Sequence, residues 1–92
     1  MYLNSNQDLY DYLTRLAEEL RGRKATVLGD VLLHASAQAA SSSTEFLGES
    51  RIALRRLLRD AEGVLSKSEQ ADVEDILKQL TAALNRWPQK PR

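Results

Sequence analysis

The stretch FLGESRIALRRLLRDAEGVL, residues 46–65, decides the reading of the fold. Wound at about 100° per residue, it places Leu47, Leu54, Leu58, Ala61 and Leu65 in one narrow stripe. Phe46, Ala53, Leu57 and Val64 widen that stripe on one flank, while Arg51, Arg55 and Arg59 run down the other. An apolar face this broad covers more than one neighbour, so the stretch reads as the central packing helix of a small all-helical domain. Ser42 with Glu45 forms a capping-box pattern, and the predicted helix spans about 43–63.

The same periodicity extends on both sides. Upstream of the serine-rich break Ser41-Ser42-Ser43-Thr44, a helix over about 24–40 carries Val27, Leu28, Val31, Leu32, Ala35 and Ala39 on one face. Leu33, Ala37 and Ala40 lie on another face, so this helix is apolar nearly all round and is expected to be buried on two sides. Gly29 within it costs about 1 kcal/mol against alanine, which calls for a packing reason. A first helix over about 6–21 starts at Ser5 with Asp8, presents Leu9, Tyr12, Leu13, Leu16 and Leu20, and stops at Gly22. Downstream, Ser66 or Ser68 caps a helix over about 68–87, with Val73, Ile76, Leu77, Leu80, Leu84 and Trp87 in its stripe. Trp87 is placed to plug the end of the bundle. Pro88 and Pro91 terminate the helix and leave a short basic tail, residues 88–92. No alternating strand pattern or repeat is present. The fold class is therefore all-α: one domain over residues 1–92, a small bundle of about four amphipathic helices arranged as antiparallel hairpins.

A chain of 92 residues buries only a modest share of its surface, and oligomerisation is a common remedy. The second and third helices carry more apolar surface than four short helices need. The surplus predicts a homodimer that buries Val27, Val31, Leu32, Ala35, Phe46 and Leu57 across a two-fold axis. There is no cysteine, hence no disulfide framework or thiolate metal site. No apolar run approaches the roughly 18 residues a membrane span needs, and the polar, acidic start does not read as a signal peptide, so a cytoplasmic location is expected.

Thirteen basic and thirteen acidic side chains cancel, which argues against a dedicated nucleic-acid binder. His34, the single histidine, has no basic or glycine-rich neighbourhood to receive phosphate, and one histidine without cysteine cannot hold zinc. No phosphate-cradling loop, calcium loop or nucleophile elbow occurs, so neither enzyme chemistry nor a cofactor is expected. Arg51, Arg55, Arg56 and Arg59, with Ile52 beside them, form the candidate partner-binding face. An isoleucine among arginines favours a protein contact. The plainer alternative is a solvated face paired with Glu62 or with acids on the first or last helix. The other functional alternatives are phosphate contact with nucleic acid and an antitoxin or immunity-type inhibitor.

Three stretches carry a family resemblance. Ala25-Thr26-Val27-Leu28-Gly29-Asp30-Val31 looks like a helix with a leucine–glycine pair. Ile52-Ala53-Leu54 with Leu57 looks like the next helix, and Ala71-Asp72-Val73 with Leu77 and Leu84 looks like the last. The pattern resembles the enterobacterial biofilm and acid-resistance regulators of the YmgB/AriR type, also described as two-component-system connector proteins. It covers about residues 9–84 and departs from the family at Arg23-Lys24 and at the serine-rich break. The resemblance implies a dimeric, non-enzymatic helical protein that binds a signalling protein, with nucleic acid as a further partner, to alter biofilm or stress-response expression.

Overall fold

The computed structural model describes residues 2–86. They form α1 (Asn6–Gly22), α2 (Thr26–Ser36), a 3-10 turn (Ala37–Ala40), α3 (Ser43–Asp60) and α4 (Lys67–Arg86), with no strand among the described residues. Three helix starts are set by serine. The Ser5 hydroxyl accepts the Asp8 N–H at 3.2 Å, and the Asp8 carboxylate accepts the Asn4 N–H at 2.9 Å. Ser42 accepts the Glu45 N–H at 3.1 Å. Ser66 accepts the Glu69 N–H at 3.1 Å, and Glu69 returns the bond by accepting the Ser66 N–H at 2.8 Å, a complete capping box. The start of α2 has no side-chain cap.

End-to-end links fix the directions. The Asn6 amide donates to the Ser43 hydroxyl at 2.9 Å, so the starts of α1 and α3 are neighbours and these helices run the same way. Arg23, at the end of α1, reaches Glu69 at the start of α4, and the Leu3 N–H donates to the Gln79 side chain at 2.8 Å. The chain therefore runs up, down, up, down, and α3 packs on α2 on one side and α4 on the other. Leu9, Leu13, Leu20, Leu32, Phe46, Leu54, Leu57, Val73, Ile76 and Leu80 are almost wholly enclosed between the helices.

Gly29 has its packing reason. A β-carbon there would lie 2.6 Å from Arg21 Cγ and 3.0 Å from the Ala17 carbonyl oxygen. Bare backbone at Gly29 lets α2 lie directly on α1.

Four sequence expectations change. The second helix does not run over 24–40: its α-helical part ends at Ser36 and tightens into the 3-10 turn. It packs against α1 and α3, but it is not apolar-buried all round: Val27 is 67 % exposed, and no described element covers it. The third helix ends at Asp60 rather than near 63, and Gly63, at φ 87°, makes the turn that follows. Finally, Gly22 remains helical. The left-handed residue is Lys24, at φ 68°, and the Ala25 N–H bonds back to the Leu20 carbonyl at 2.8 Å, which closes the α1 end as a Schellman turn. Trp87 and the 88–92 tail lie outside the described residues.

Replacing Gly29 with valine forces α1 and α2 apart, and a loss of about 2 kcal/mol is expected in urea unfolding. Unchanged stability would show that the two helices do not touch there.

Candidate functional site

On α3 the core side is formed by Phe46, Leu47, Ser50, Ala53, Leu54 and Leu57, all buried. At 3.6 residues per turn, the opposite line holds Glu45, Gly48, Ile52, Arg55 and Arg59. Arg51 lies on the α4 flank of that line, and Glu49 and Arg56 lie on the α2 flank. The predicted partner residues are thus not one continuous basic face. Ile52 stands at the centre, 60 % exposed. Arg55 is exposed and lines a depression between α3 and α4 with Leu77, Lys78 and Thr81. Arg51 is half-buried, and its Nε atom is enclosed without a hydrogen-bond partner.

Arg56 and Arg59 share one acid. Asp60 lies 3.4 Å from Arg56 Nε and 3.1 Å from Arg59 Nε. Arg59, then Arg56, holds its carboxyl below the ordinary aspartate value. These are surface ion pairs, which contribute little to stability.

The predicted dimer surface needs correction. Leu32 and Leu57 are wholly enclosed, Phe46 is 1 % exposed and Ala35 5 %. All four belong to the chain's own core and offer a second copy nothing. Val31 is half-exposed and Val27 exposed, so only these two remain at the surface. Val31 and His34 of α2 and Gln38 of the 3-10 turn face Glu49, Ile52 and Arg56 of α3 across a shallow depression of about 230 Å³. His34 is exposed at its rim rather than part of the core.

Two features of α3 escaped the sequence reading. Gly48 sits one turn before Ile52, and a β-carbon built on it would meet nothing within 4 Å. A glycine inside a helix costs about 1 kcal/mol against alanine, and no neighbour among the described residues explains it here. Its signal in the sequence was its spacing, four before an isoleucine on the polar side. Ser50, on the core side, is fully buried, and its hydroxyl has no hydrogen-bond partner. Its spacing, four after Phe46 and four before Leu54, is the signal that places it on the core side.

The strongest polar arrangement lies elsewhere, between α1 and α4. Arg23 Nη1 and Nη2 donate to the two Glu69 carboxylate oxygens at 2.7 Å each, and Nη1 also reaches the Val64 carbonyl at 3.2 Å. The Arg23 bonds, with the Ser66 N–H behind them, lower the Glu69 carboxyl from the ordinary 4.5 to about 2. Nearby, burial first and then Asp72, Glu69 and Glu19 push the Tyr12 phenol up, so it stays protonated. This cluster holds a helix start against its neighbour, and every group in it has a structural task. Among the described residues no three histidine or acidic side chains gather to hold a metal. No helix among them is long and apolar enough to cross a membrane.

Two measurements check these assignments. Ser50→Ala removes an unpaired buried hydroxyl and is expected to raise unfolding stability by about 1 kcal/mol. For Glu69, a lowered native pKa means stability that is present above about 4.5 and lost as pH falls towards about 2. The difference in melting temperature between the parent chain and Glu69→Gln is therefore expected to shrink to nothing across that range. A difference independent of pH would assign Glu69 a purely neutral capping role.

Comparisons of the chain with protein-family models, with curated proteins and with solved structures found no match. The resemblance to the connector-type regulators rests on the residues quoted for it alone.

Proposed function

We propose that this chain is a non-enzymatic regulatory interaction module that works as a homodimer through its α2–α3 side. The observation that carries this reading is the pair of exposed large aliphatic side chains, Val27 on α2 and Ile52 on α3, at 67 % and 60 % exposure. A small bundle with a full core has no internal use for them, and an aliphatic patch rimmed by charge is a recognition surface. The resemblance to two-component-system connector proteins points the same way and adds the role: capture of a signalling protein in biofilm or stress regulation, inside the cell.

The same side weighs against nucleic acid. Glu45 and Glu49 precede the arginines on α3 and Asp60 follows them, and Asp60 already engages Arg56 and Arg59. A phosphate backbone laid along α3 would meet these acids as often as the free guanidinium groups.

Light scattering is expected to return twice the mass of one chain, and a single-chain mass at all concentrations overturns the homodimer. Titration with random duplex DNA at low salt is expected to show no binding. Binding that falls steeply with salt would replace the protein-partner reading with phosphate contact.

A further inference from the structure

We infer that the outer line of α3 is a self-complementary docking ridge, and that its occupant is the α3 of a second copy running antiparallel. The inference rests on the homodimer reading above and specifies where the copies meet and in which direction.

Charge along the exposed side of α3 is polarised. Its first half carries Glu45 and Glu49 and is acidic; its second half carries Arg55, Arg56 and Arg59 against the single acid Asp60 and stays net basic, and Ile52 lies between the halves. All seven side chains are exposed. A parallel copy would set acid on acid and arginine on arginine. An antiparallel copy sets the acidic half of each helix against the basic half of the other, and a two-fold axis perpendicular to the helices does this twice with one geometry. Among closed arrangements of α3 on itself, only the antiparallel one satisfies this pattern.

The apolar residues agree on the register. With the axis passing close to residue 51, Ile52 of each copy settles between Gly48 and Ile52 of the other. Residues on one flank of a helix stay on the same flank of the pair, so Arg56, on the α2 side, comes opposite Glu49 and Glu45 of the second copy. Gly48 supplies the independent observation. Its missing β-carbon would meet nothing within 4 Å among the described residues, unlike Gly29, whose β-carbon would strike α1. Gly29 shows what a helix-interior glycine does in this fold: it admits a neighbouring helix. At Gly48 no described residue fills that place, and in the antiparallel pair the Ile52 side chain of the second copy lies over the bare backbone. Arg56 is available for exchange, because its present partner Asp60 is a half-exposed neighbour one turn away at 3.4 Å.

Charge reversal tests the ridge. Glu49→Arg and Arg56→Glu each create like-charge pairs across the axis, and each is expected to weaken dimerisation by about tenfold or more in sedimentation equilibrium. The double variant Glu49→Arg/Arg56→Glu restores opposite charges in the antiparallel register and is expected to recover the affinity. An equimolar mixture of the two single variants is expected to pair as well, because position 49 of each chain then faces an opposite charge at position 56 of the other. Ile52→Glu is expected to yield a monomer with unchanged helical circular dichroism, since Ile52 takes no part in the core. If the parent chain is a dimer but Ile52→Glu stays dimeric, or the double reversal fails to recover what the single ones lose, the ridge is overturned while the homodimer reading stands. If the parent chain is monomeric throughout, both fall together.

Discussion

Burial of the α3 stripe is the constraint under which the rest of the bundle is assembled. Phe46, Leu54 and Leu57 are almost wholly enclosed, and no single neighbour is wide enough to enclose them. Full burial of side chains of this size contributes roughly 1.5–3 kcal/mol each relative to exposure. Helices α2 and α4 must therefore lie on opposite flanks of α3, with α1 closing the fourth side. Gly29 makes that closure tight, since α1 reaches the α2 backbone only where no β-carbon stands.

The polar groups then work at the ends of the helices, where backbone donors lack partners. Serine caps start α1, α3 and α4, and the third cap is tied into the bundle by Arg23. One glutamate thus completes the first turn of α4 and holds it against the end of α1. The turn that carries Arg23 uses Lys24 in the left-handed region, where glycine is the less strained choice. The geometry needed to aim Arg23 at Glu69 is set by this closed turn, so a local backbone shape and a contact across the bundle depend on each other.

Function follows from what this packing leaves unused. Each enclosed leucine is a residue withdrawn from recognition, which is why Leu32, Ala35, Phe46 and Leu57 do not meet a second copy. On the α2–α3 side what remains is Val27 and Val31 on α2, and Gly48 and Ile52 on α3, bordered by charges of both signs. Such a surface fits the proposed reading, in which shape and charge register do the recognising.

Periodicity in the sequence was enough for the all-helical class, the helices themselves and the serine caps, because these depend on neighbours three or four residues apart. Most of the core leucines were legible for the same reason. The 3-10 ending of α2 and the left-handed turn at Lys24 were not, since they answer to the packing of α1 on α2. Nor was the division of the apolar residues between core and surface. Val27 and Leu32 look alike on a helical wheel, and only the position of α1 decides that one is enclosed and the other exposed. The arginines show the same limit: spacing put Arg51, Arg55, Arg56 and Arg59 on one side of a helix, but the neighbouring helices and Asp60 separated them into a half-buried, a free and two paired groups. Local pattern carries the information for making a helix, whereas which of its faces meets water depends on contacts between residues far apart in the chain.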